Sequence, residues 1–193
     1  MKKSNYTIQL LNHDSIEVAL KICDTELGKN YLSTSYLSDL INNEKALIQA
    51  AFNQNNELIG FSSCMILTNI ELKKAIHSSQ FSQLPSEITY STQIGITNTI
   101  VIKNEYKNQG IGTVLFKEFL TFFEKNKTAC IVAFAWKNNE GINMGGIFEK
   151  HNFKVLKSIK NYWSEESIEN NYNCPSCGNP PCFCTAVIYN LKS

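Results

Sequence analysis

The chain contains no arginine: all 18 of its basic residues are lysine. Without a guanidinium, the bidentate reading of guanine or phosphate used by sequence-specific DNA proteins is lost. A formal net charge of +1 also lacks the basic field that nucleic-acid and membrane-surface binders carry. Neither partner is expected. Long apolar runs are missing as well, since the longest, Ala129 to Trp136, falls far short of the ~20 residues of a membrane span. Met1-Lys2-Lys3 opens like a secretory leader, but polar Ser4-Asn5-Tyr6-Thr7 stands where its apolar stretch would begin, so a cytoplasmic chain is expected. Two phosphate loops are excluded too. No Gly-x4-Gly-Lys-Ser/Thr occurs, and a dinucleotide fingerprint needs three glycines where Gly110 and Gly112 supply two.

What is present suits one compact α/β or α+β domain: 193 residues with 43% hydrophobic content is enough for a single core and small for two. The most informative stretch is Thr97 to Phe123. A β-branched block, Thr99 to Ile102, is followed by polar Lys103 to Gln109, and Gly110-Ile111-Gly112 then opens a segment with helical apolar spacing. Strand, glycine loop and helix start form a candidate anion cradle, because a helix N-terminus exposes unpaired amides and a partial positive charge. Ile111, Val114, Leu115, Phe119 and Phe122 define the expected buried stripe of that helix. Cys130 to Trp136 then reads as a central strand buried on both faces.

Upstream, Tyr6 to Leu11 reads as a strand, and Asp14 or Ser15 can cap a helix ended by Gly28. Ser33 to Ser35 offers a cap for a second helix to Ile41. Ala46 to Phe52 and Leu58 to Ile66, joined by Asn53-Gln54-Asn55-Asn56, make a hairpin. Asn69 to Tyr90 suggests a helical insertion closed by Pro85, either a wall of a binding pocket or a solvent-facing excursion. Thr92 to Ile102 is a long strand with Gly95 in its interior, where a glycine can mark a bulge or a close backbone approach; Gly95 lies too early in the strand to be assigned the bulge.

Lys107-Asn108-Gln109-Gly110-Ile111-Gly112-Thr113, preceded by Ile100-Val101-Ile102 and Tyr106, resembles the acyl-CoA loop of the GNAT family of N-acyltransferases, with Lys107 in place of the usual Arg. Lys137 to Asn143, a short helix, and Phe148-Glu149-Lys150-His151-Asn152-Phe153 resemble the family's second motif, with Asn152 where Gly is usual. The resemblance implies a mixed, mostly antiparallel sheet of about seven strands, with helices on both faces and a splay between strands 4 and 5. It implies acetyl-CoA as cosubstrate, a primary amine as acceptor, and a monomer or homodimer. Ile100, Val101 and Ile102 would act through their main chain, and Lys107 to Thr113 (Asn108, Gln109, Gly110, Ile111, Gly112) would hold the pyrophosphate. Asn139 and Asn143 would reach the pantetheine amides, or cap the following helix.

Catalytic residues stay unassigned. Many family members carry a Tyr at the position of Phe148 to protonate the leaving sulfur, and no Glu occurs in either strand where a base is common. Glu87, Glu105, His77 and Tyr162 are the remaining polar candidates, with a base acting through ordered water as the default.

Seven cysteines divide into two groups. Cys23, Cys64 and Cys130 sit in apolar runs and read as core. Cys174-Pro175-Ser176-Cys177-Gly178 and Cys182-Phe183-Cys184 read as a zinc knuckle completed by a second pair, a structural site of four thiolates; a disulfide or an iron–sulfur cluster is the alternative. These cysteines decorate a loop at about 170–185, between the last two strand-like segments, Phe153 to Trp163 and Thr185 to Leu191. Besides the acyltransferase, a catalytically idle fold whose zinc loop binds a protein partner remains open. A nucleic-acid module is disfavoured, since Asn171 to Thr185 holds no basic residue.

Overall fold

The structure, a computed structural model, describes residues 5–138 and 141–192. Its order begins with β1 (Tyr6–Leu10), α1 (Ile16–Glu26), α2 (Thr34–Ile41) and the hairpin β2 (Ala46–Asn53) and β3 (Leu58–Leu67). The insertion supplies three short helices, α3 (Asn69–Ala75), α4 (Ser78–Ser82) and α5 (Ser86–Thr89). Then come β4 (Ile94–Ile102), α6 (Ile111–Lys125), β5 (Cys130–Asn138), β6 (Gly141–Ile142), α7 (Gly145–Lys150), β7 (Lys154–Ile159), α8 (Ser164–Glu169) and β8 (Thr185–Lys192).

One sheet runs through the molecule in the order β1-β2-β3-β4-β5-β8-β7, with β6 paired to the end of β5. Only β4 and β5 are parallel. The sheet has eight strands rather than about seven, because β5 runs on to Asn138 and folds back as a small hairpin. Helices α1 and α2 cover one face through Ile16, Ile22, Leu37 and Leu40, packed on Phe61 and Val101. On the opposite face α6 and α7 bury an aromatic cluster, in which Phe116 meets Phe148 at 5.3 Å and Phe153 at 5.6 Å between ring centroids. Each such ring contributes roughly 1.5–3 kcal/mol by leaving water.

Local details differ from the sequence reading where tertiary packing intervenes. The buried stripe of α6 is Ile111, Leu115, Phe116, Phe119 and Phe123, so it is rotated away from Val114 and Phe122 toward the α7 rings. Neither Asp14 nor Ser15 caps α1 through its side chain; a 3₁₀ turn at His13–Ser15 precedes it, with the Asn12 side chain accepting from Ser15 N. Ser33 caps α2 as expected, accepting from Tyr36 N at 3.2 Å. The last-but-one strand stops at Ile159, so Tyr162 and Trp163 lie outside it, and polar Ser164–Glu169 is a helix. Asn152 has φ 64°, the left-handed helix end that its place in the motif requires.

The bulge in β4 falls at Asn98, because Ser63 pairs with Thr99 while Cys64 pairs with Thr97. Gly95 is instead a close approach: a Cβ there would lie 2.8 Å from two ring carbons of Phe123. Gly95→Ala should therefore destabilise the fold by about 1–3 kcal/mol through overpacking. Chemical denaturation of Gly95→Ala, Phe123→Leu and the double variant checks this, with a double-variant loss well below the sum of the single losses expected.

Candidate functional site

The β4–β5 pairing lasts for four residues only, from Ile94↔Cys130 to Thr97↔Ala133. Beyond it β4 stays with β3 while β5 stays with β8, so the two parallel strands part at Asn98. In a paired strand alternate residues turn their N–H and C=O to each side. Along Asn98–Ile102 the groups turned from β3 therefore face a slot and no partner strand. After β4 a 3₁₀ turn, Asn104–Tyr106, leads to Asn108 (φ 62°) and Gly110 (φ 84°), the N-cap of α6. The first helical bond runs from Val114 N to Gly110 O at 3.1 Å, so the amides of Gly110, Ile111, Gly112 and Thr113 form the free set that opens the helix. A Cβ on Gly112 would touch Ile102, Ile100 and Met144 at 3.6–3.9 Å, which places the helix start at the base of the slot.

The loop is anchored from α1. Glu26 accepts from Asn104 N at 2.9 Å and pairs with the Lys107 ammonium. Lys107 thus holds the loop to α1, while Gln109 donates to Glu105 O at 3.1 Å. Asn143 is exposed and its amide donates to Trp136 O at 2.9 Å; Met144, with φ 63°, is the N-cap of α7, so Asn143 is not the cap. Asn139 lies outside the described residues.

On the face covered by α1 and α2 the slot opens into a cavity of about 440 Å³. Its floor is Ile96 to Thr99 of β4 and Phe134 of β5, the residues at which the strands part. One wall is the α1–α2 connection with Tyr31 and the start of α2 with Tyr36; another is the 69–90 insertion, through Leu72, Ile76, His77 and Gln80. The third is the segment after β7, carrying Tyr162, Trp163 and Glu166. Hydrogen bonds close these walls on each other. Asn98 Nδ2 donates to the Tyr36 hydroxyl at 2.9 Å, and Gln80 Nε2 donates to Tyr162 O at 2.7 Å. His77 lies 3.6 Å from Glu165 and 3.5 Å from Glu169. Burial pushes Tyr36 up to about 12 and also raises Tyr31 and Tyr162, so all three phenols stay protonated at neutral pH.

Two of the four polar candidates, His77 and Tyr162, line this cavity, whereas Glu87 and Glu105 are exposed elsewhere. Tyr31, Tyr36, Asn98 and Glu166 were not anticipated. The usable signals are a tyrosine between two consecutive helices, a second in the first turn of the later one, and an Asn inside a β-branched strand. Glu166 carries none, because Ser164–Glu169 is almost wholly polar.

The Sγ atoms of Cys174, Cys177, Cys182 and Cys184 lie within 4.8 Å of one another, and all seven cysteines are free thiols. Cys174 and Cys184 are 3.6 Å apart and Cys177 and Cys184 3.4 Å, close to the about 3.8 Å that sulfurs on a tetrahedral zinc adopt. Cys174 and Gly178 exchange backbone bonds of 2.9 and 2.8 Å, and Phe183 N donates to Cys177 Sγ at 3.4 Å. The donor set fits a soft, four-coordinate ion.

This loop packs against the cavity walls. Cys182 N donates to Ser167 Oγ at 2.8 Å and Tyr162 N to Cys184 O at 3.2 Å, while Tyr172 meets Tyr31 edge-on at 5.5 Å. Asn173 N donates to Lys29 O at 3.1 Å, and Asn30 Nδ2 to Asn171 O at 3.2 Å. A Cβ on Gly28 would sit 2.0 Å from Asn173 O, so only glycine admits this approach.

No family model matches the chain. It is 26% identical over 110 residues to N-alpha-acetyltransferase 60 of Xenopus tropicalis, a match covering 57% of this chain and 43% of that protein. The matched stretch is thus less than half the length of that relative. Among solved structures, Arabidopsis thaliana NAA60, in complex with a bisubstrate analogue, superposes with a TM-score of 0.67 over 97% of both chains at 12% identity. The Escherichia coli ribosomal-protein-S18-alanine N-acetyltransferase does so with a TM-score of 0.63 over 97% of this chain and 93% of that one, at 14% identity. The fold is that of the GNAT N-acetyltransferases.

Glu26→Ala should free the loop before α6, costing roughly 1 kcal/mol because the pair is only partly exposed. Faster amide hydrogen exchange over residues 104–110 is expected, with no change for Glu17→Ala on the exposed side of α1.

Proposed function

We propose that the protein is an N-acetyltransferase that passes an acetyl group from acetyl-CoA to a primary amine. One observation carries this reading: the slot left by β4 and β5 joins the free amides of α6 at one end to the cavity at the other. The amides of Gln109 to Thr113 bind the pyrophosphate, with the helix dipole adding to the attraction. Ile100, Val101 and Ile102 hold the pantetheine arm through their main chain, and Asn143 stands near its path. The thioester then lies at the cavity mouth. There the neutral amine attacks the carbonyl carbon, the C–N bond forms, the C–S bond breaks, and the leaving thiolate takes up a proton. The related proteins are named for acetylating protein N-termini, which supports an amine acceptor.

The cofactor part of the reading is tested by calorimetry on the metal-loaded protein. Acetyl-CoA should bind, and Gly112→Asp, which sets a carboxylate at the base of the slot, should weaken it at least tenfold. Equal binding by that variant would remove the loop from the site.

Cys174, Cys177, Cys182 and Cys184 hold one structural zinc ion, since four thiolates leave no position for a catalytic water. The ion supplies cohesion that the polar segment before it lacks; structural zinc contributes on the order of 10 kcal/mol of apparent binding energy. Cys177→Ser should lose the metal by elemental analysis and lower the Tm. Because the loop braces the cavity and not α6, amine binding should suffer more than acetyl-CoA binding.

A further inference from the structure

The cavity differs in charge from the rest of the surface. Among the described residues no lysine lines it, and Glu166 is its only carboxylate. Its one other ionisable group outside the tyrosines, His77, is flanked by Glu165 and Glu169. Among the described residues the Glu166 carboxylate forms no hydrogen bond and no ion pair; the one cationic side chain that attracts it is His77, which is itself shared with Glu165 and Glu169. Yet its backbone is fixed. Ser167 Oγ donates to Ser164 O at 2.7 Å, Tyr172 N donates to Ser167 O at 3.1 Å, and Cys182 N reaches the same hydroxyl from the cysteine loop. A fixed, unpaired carboxylate in a cleft walled by Tyr31, Tyr36, Phe134, Tyr162 and Trp163 has the two elements that recognise an organic cation: a negative charge and aromatic faces.

We propose that Glu166 is the ammonium seat of the acceptor pocket, which takes a primary ammonium compound whose apolar body lies along the aromatic walls. This deepens the acetyltransferase reading and rests on it for the name acceptor, but the binding itself does not require turnover. Burial raises the Glu166 pKa above the usual carboxylate value despite the attraction of His77, and the charge of an arriving cation offsets that desolvation cost. Glu166 is a specificity residue: it favours cationic over neutral and anionic compounds of the same shape.

The test uses the full-length, metal-loaded protein and three probes of one shape: 2-phenylethylamine, 2-phenylethanol and phenylacetate. Binding is followed by calorimetry and by tryptophan fluorescence. The amine is expected to bind at least tenfold more tightly than the alcohol, with the acid weakest. Glu166→Gln should abolish this preference while leaving zinc content, Tm and acetyl-CoA affinity unchanged. Glu165→Gln, one residue away and exposed, should keep it. Equal binding of amine and alcohol by the native protein, binding of neither, or a preference that survives Glu166→Gln would overturn the proposal. If Glu166→Gln loses zinc, Glu166→Asp replaces it: a smaller amine preference supports the seat and an unchanged one overturns it. Loss of acetyl-CoA binding in the native protein would sink acetyl transfer without touching the seat, whereas charge-blind probe binding with acetyl-CoA bound would do the reverse.

Discussion

The parting of β4 from β5 is the constraint on which the site depends. A parallel pair could run the length of both strands, yet the one extra residue at Asn98 ends it after four matched positions. The bulge keeps β4 in register with β3 while it turns away from β5, and each strand stays paired on its other side. The fold thus opens a gap in the middle of its sheet without giving up the ladders that stabilise it. A bulge next to an active site commonly re-aims a side chain, and here Asn98 is the residue that reaches Tyr36 across the cavity.

The cysteine loop adds a second level of organisation. Cavities walled by short segments are hard to hold open, because short helices and connections bury little apolar surface of their own. In this chain the α1–α2 connection, α8 and the residues after β7 all lean on the same loop, through backbone bonds at Lys29, Ser167 and Tyr162. The insertion is joined to them from the other side by Gln80 and His77. The solvent-facing alternative for the insertion is therefore replaced by a wall. The cysteine loop and the cavity both draw on α8: Ser167 meets the cysteine loop, and Glu166 lines the cavity.

Two residues that depart from the motifs the sequence resembles have a clear structural setting. Lysine at position 107 loses the bidentate fork of arginine, but the residue serves a neighbouring Glu26, and the backbone amides remain to meet an anion. Phe148 lacks a hydroxyl because its ring belongs to a packed aromatic cluster with Phe116, Phe153 and Tyr189. Beside that ring Tyr189 places a buried hydroxyl that has no hydrogen-bond partner among the described residues.

Read alone, the residues determined whatever depends on near neighbours. Apolar period located α6 and the central strand, glycines located the start of α6, the polar Asn run located the hairpin, and cysteine spacing located the four-thiol loop, because each is a property of a dozen adjacent residues. Tertiary structure decided what depends on residues far apart in the chain. The bulge at Asn98 is defined only against Ser63 and Cys64; the partner of Lys107 lies 81 positions away. The cavity gathers Tyr31, Tyr36, Asn98 and Glu166 from four elements. Helix α8 is the clearest case: its sequence is polar, with little apolar period to announce it, and it is held in place by Ser167 meeting the cysteine loop, a contact that exists only once the sheet has brought the two together.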